Sequence, residues 1–67
     1  MASAEVDSLA KIMALAGPES AARVAKWAGE KTRHIVKLSV QTAVRAKLAA
    51  EVLSELEAGR LPQVLAE

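Results

Sequence analysis

Apolar positions from Val6 onward recur at helical spacing: Val6, Leu9, Ile12, Met13 and Ala16 share one face over the first sixteen residues. Ser3 stands where an N-cap belongs, with Glu5 and Asp7 in the first turn, where the helix dipole favours negative charge. Gly17 and Pro18 close the segment, because glycine accepts backbone conformations that end a helix and proline cannot continue one. The pattern predicts a short helix over residues 4–16.

Pro18 also suits the first turn of a following helix. From there to Ala58 no proline intervenes and Gly29 is the one glycine, so the reading is a single long helix over 19–58. At 1.5 Å per residue it runs about 60 Å. Gly59 is its natural stop and Pro62 prevents simple extension. The tail 60–67 keeps Leu61, Val64 and Leu65, and is expected to fold back and dock.

The stripe on the long helix is not straight. Val24, Trp27, Ala28, Ile35 and Leu38 form one face, continued by Ala46, Ala49, Leu53 and Leu56. A second row, Val36, Val40, Val44, Leu48, Val52 and Leu56, climbs at every fourth residue and drifts around the axis. Two apolar sides in mid-helix imply two neighbours. One segment, Val36-Lys37-Leu38-Ser39-Val40-Gln41, alternates with period two and reads alternatively as a strand; its alanine-rich flanks favour helix.

Composition sharpens this picture. Of the 67 residues 52% are hydrophobic, but fifteen of those are alanine, a strong helix former that fills a core poorly. Phe, Tyr and Cys are absent. One domain at most fits this length, and so small a domain is marginal without a staple or a partner. The expected fold class is therefore all-α: a short helix plus a long helix forming a helical hairpin, within an oligomeric bundle. Residues predicted to contact a partner are Val24, Trp27, Ile35, Leu38, Val40, Val44, Leu48, Val52 and Leu56.

Net charge is +1, yet it is unevenly laid out: −2 over residues 1–19, +6 over 20–47 and −3 over 48–67. Antiparallel pairing of two long helices would set the basic stretch 23–37 of one beside Glu51, Glu55 and Glu57 of the other. The same charge supports an alternative in which Arg23, Lys26, Arg33 and Lys37 hold an anion, either nucleic acid or an anionic membrane surface. The near-neutral total and the lack of interleaved aromatics weigh against nucleic acid.

Candidate chemistry is thin. A Ser–His–acid relay would draw His34, Asp7 and a serine from distant points of a chain with little core to fix them. Glu30 and His34 stand four apart, as two metal ligands on a helix would, but Lys31 and Arg33 beside them repel a cation. No catalytic, cofactor or metal site is expected. Uncharged runs such as Ile12–Pro18 and Leu38–Val44 fall far short of the roughly 20 residues that span a bilayer. With no basic, apolar leader at the N-terminus, the expected location is cytoplasmic. The function these features favour is a non-enzymatic assembly or adaptor subunit, working in homo- or hetero-oligomerisation.

Overall fold

The computed structural model describes residues 3–66. Three α-helices, α1 (Ala4–Ala16), α2 (Pro18–Thr32) and α3 (Leu38–Glu57), are followed by a 3-10 helix, Gln63–Leu65. There is no strand among the described residues.

The first helix starts and stops where the sequence places it. The Val6 N–H donates to Ser3 Oγ at 3.0 Å, satisfying one of the unpaired donors of the first turn. At the other end Gly17 adopts φ 93°, ψ 165°, and its N–H donates to the Met13 carbonyl at 2.9 Å. That backbone region is open essentially to glycine alone. A single residue therefore turns the chain from α1 into Pro18, the first residue of α2.

The long helix expected over 19–58 is instead two helices, separated by residues 33–37. The strand alternative for 36–41 does not hold either, since α3 begins at Leu38. A rod of about 60 Å does not fit a molecule whose principal extents are 33 × 29 × 19 Å. No proline or glycine makes this break. Thr32, fully buried, turns its hydroxyl back to donate to the carbonyls of Ala28 at 2.9 Å and Gly29 at 3.3 Å. Such back-bonding weakens and bends a helix. The Thr32 carbonyl then accepts from the Ile35 N–H at 2.9 Å and from Gln41 Nε2 at 3.3 Å, so a turn and a side chain of α3 replace the next helical bond.

The decisive term is tertiary. A straight rod would leave Ala49, Val52 and Leu53 facing water, whereas folding back sets them against Ile12 and Val24. Ile12, Val24, Ala28 and Ala49 are fully buried, and Leu9, Ala21, Trp27, Leu56, Val64 and Leu65 pack around the centre. The alanines let helix backbones approach closely, so a compact core forms from few large side chains. The helix α1 packs against both α2 and α3. An ion pair from Arg45 Nε to Glu5 Oε2, 3.3 Å long, joins the first turn of α1 to α3.

The end of α3 is a Schellman closure. Gly59 takes φ 76°, its N–H donates to the Leu56 carbonyl at 3.0 Å, and the Arg60 N–H donates to that of Glu55 at 2.9 Å. Beyond it Pro62 is fully buried, and the 3-10 helix packs on α2, with Val64 and Leu65 against the core. Glu67, the last residue of the tail segment, lies outside the described residues.

Candidate functional site

The nine residues predicted to face a partner separate into three groups. Val24 and Val52 are 0% and 3% exposed inside the chain's own core, and offer a partner no surface. Trp27 and Leu56 are half-buried against that core. Ile35, Val44 and Leu48 are half-buried as well, while Leu38 and Val40 are exposed. Much of the stripe thus serves internal packing. The every-fourth-residue row explains the split: each step of four advances about 40° around a helix, so Val40 and Val52 stand about 120° apart. One end of the row faces solvent and the other the core.

Of the exposed large hydrophobic residues, Val6, Met13 and Leu15 lie on α1 and Leu61 in the tail, while Val36, Leu38 and Val40 lie where α2 turns into α3. Val36 is 98% exposed, Leu38 72% and Val40 45%. Val36, which lies on the drifting row but is absent from the predicted contact set, is the most exposed of the large hydrophobic residues among those described. The neighbouring sequence is basic: residues 31–50 hold Lys31, Arg33, Lys37, Arg45 and Lys47 and no acid. Arg33, His34 and Lys37 are exposed in the turn itself. His34 follows the end of α2, so Glu30 and His34 do not project from one helix as a metal pair would. Among the described residues no group of three His, Asp or Glu side chains is placed to hold a metal ion.

The four cations proposed to bind an anion are likewise divided. Arg33 and Lys37 belong to this corner, whereas Arg23 and Lys26 lie on α2, in an open groove of about 730 Å³. Trp27, Glu30 and Lys31 line the same groove from α2, and Gln63 and Val64 wall it from the 3-10 helix. Docking of the tail builds this concavity, which explains why charge pattern alone could not outline it. Lys31, Gln63 and Val64 escape a reading based on one helix face.

No helix among the described residues is long and apolar enough to cross a membrane. Set against protein-family models, curated proteins and solved structures, the chain matches none of them.

Proposed function

We propose that this chain is a non-enzymatic assembly module that associates through the corner between α2 and α3, pairing with a second copy of itself. The observation that carries this reading is the exposure of Val36, Leu38 and Val40, at alternate positions of a five-residue run within a basic stretch. Exposed aliphatic clusters of this kind mark interaction surfaces. Complementary charge is available on the same chain, in Glu51 and Glu57, exposed, and Glu55, half-buried, toward the other end of α3. An antiparallel meeting of two α3 helices sets the basic end of each beside the acidic end of the other, which selects the orientation.

The test is solution mass by light scattering after size exclusion, at low and high salt. The reading expects a multiple of 7.0 kDa that persists in high salt, because apolar burial outlasts screening. Leu38→Glu should return it to the monomer. A wild-type chain that stays monomeric across the accessible concentration range refutes self-association.

A second reading rests on Arg33 and Lys37 flanking the exposed Val36. Aliphatic tips set among cations suit the interface of an anionic bilayer. Co-sedimentation with vesicles containing phosphatidylserine, and not with purely zwitterionic ones, would favour it over self-pairing.

A further inference from the structure

The groove between α2 and the docked tail has a chemistry different from that of the corner. Arg23, Trp27 and Lys31 are spaced four apart and form one row along α2, with Lys26 and Glu30 in the adjoining row. Trp27 is the chain's one aromatic residue; it is half-buried, with part of its surface left to the groove. Lys26 and Lys31 are exposed, and neither forms an ion pair among the described residues. Arg23 has an interaction of its own.

From this arrangement we propose that the groove binds a small phosphorylated ligand bearing a planar ring, of the mononucleotide class. Trp27 lines the groove, and aromatic side chains stack on nucleobases without needing a particular base. Lys26 and Lys31 flank it as donors for a phosphate monoester, which carries roughly −1.5 to −2 charges near neutral pH. Glu30 and Gln63, also on the lining, supply acceptors for sugar hydroxyls or a ring amino group.

Size favours a small molecule over an acidic peptide. From Arg23 to Lys31 the α2 wall measures about 12 Å, room for about four extended residues at roughly 3.3 Å each. Its volume, about 730 Å³, falls within the roughly 300–1,000 Å³ usual for small-molecule sites.

Because the chain holds one Trp and no Tyr or Phe, all tryptophan emission comes from this residue at the groove. The experiment titrates the full chain with AMP, with adenosine and with inorganic phosphate, following emission excited at the red edge of indole absorption. AMP should change the emission saturably, while adenosine and phosphate, each carrying half of the recognition, should act at least about tenfold more weakly. The variant Lys26→Ala/Lys31→Ala should lose about tenfold in AMP affinity, as expected for losing charge-assisted contacts, while helical circular dichroism reports its fold. No saturable response to AMP overturns the proposal. So does a response equalled by phosphate alone, or one unchanged in a folded double variant.

Discussion

The substitution Lys37→Asp tests the break in the middle of the chain by the sign of its effect. Lys37 is the N-cap of α3, with φ −76° and ψ 116°, and makes no side-chain capping bond. A cation also stands there against the positive end of the helix dipole. At the start of α1, Ser3 has a comparable extended backbone, φ −77° and ψ 157°, and does accept from the N–H three residues on. Aspartate supplies the missing acceptor, worth about 1 kcal/mol, and reverses the unfavourable charge for roughly 0.3–1 kcal/mol more. For a domain of this size each kcal/mol moves the melting temperature by roughly 4–8 °C. The expected outcome is thus a rise of about 5 °C or more, read by circular dichroism in the helical band. Lys37→Ala, which removes the cation without adding a cap, should gain markedly less. Were residues 19–58 one continuous helix, residue 37 would be interior, and aspartate would cost a few tenths of a kcal/mol. A fall in melting temperature, or a gain matched by Lys37→Ala, refutes the placement of a helix start at this position.

Ile12→Ala removes three carbons from a fully buried side chain at the centre of the core and should cost about 2–4 kcal/mol in urea denaturation. That is a large share of the roughly 3–10 kcal/mol expected for a chain of this length, whereas Leu15→Ala, at a residue 58% exposed, should cost less than about 1 kcal/mol. Gly17→Ala meets no atom within 4 Å, so its cost is the backbone strain of φ 93°, about 1–3 kcal/mol; a neutral result would mean the α1–α2 turn has another geometry. For the Glu5–Arg45 pair, whose side chains are 13% and 38% exposed, a double-mutant cycle with Glu5→Gln and Arg45→Gln should give a coupling of roughly 0.5–1 kcal/mol that shrinks in high salt. Absence of coupling at low salt would remove this link between α1 and α3 from the account.

Local signals that act over a single turn were legible in the sequence. Ser3, Gly17 and Pro18 fix the ends of α1, and Gly59 fixes the end of α3, because caps and positive φ depend on the residue present and a few neighbours. The all-helical class followed from alanine content and spacing, which depend on composition and period. The basic middle was visible too, since charge is additive along a chain.

The break at residues 33–37 was not marked by proline or glycine, and the period-two run 36–41 registered the disturbance without naming its outcome. It exists because doubling back buries Ala49, Val52 and Leu53 against Ile12 and Val24, and that gain is made between residues far apart in sequence. The same event decided which apolar side chains were left over: Val24 and Val52 went inside, while Val36, Leu38 and Val40 stayed out. The groove at Trp27 likewise needed the tail to dock before it had a second wall. Sequence determined what each turn of helix was able to do; the tertiary structure determined which faces met, because burial is a property of pairs of surfaces and not of either one alone.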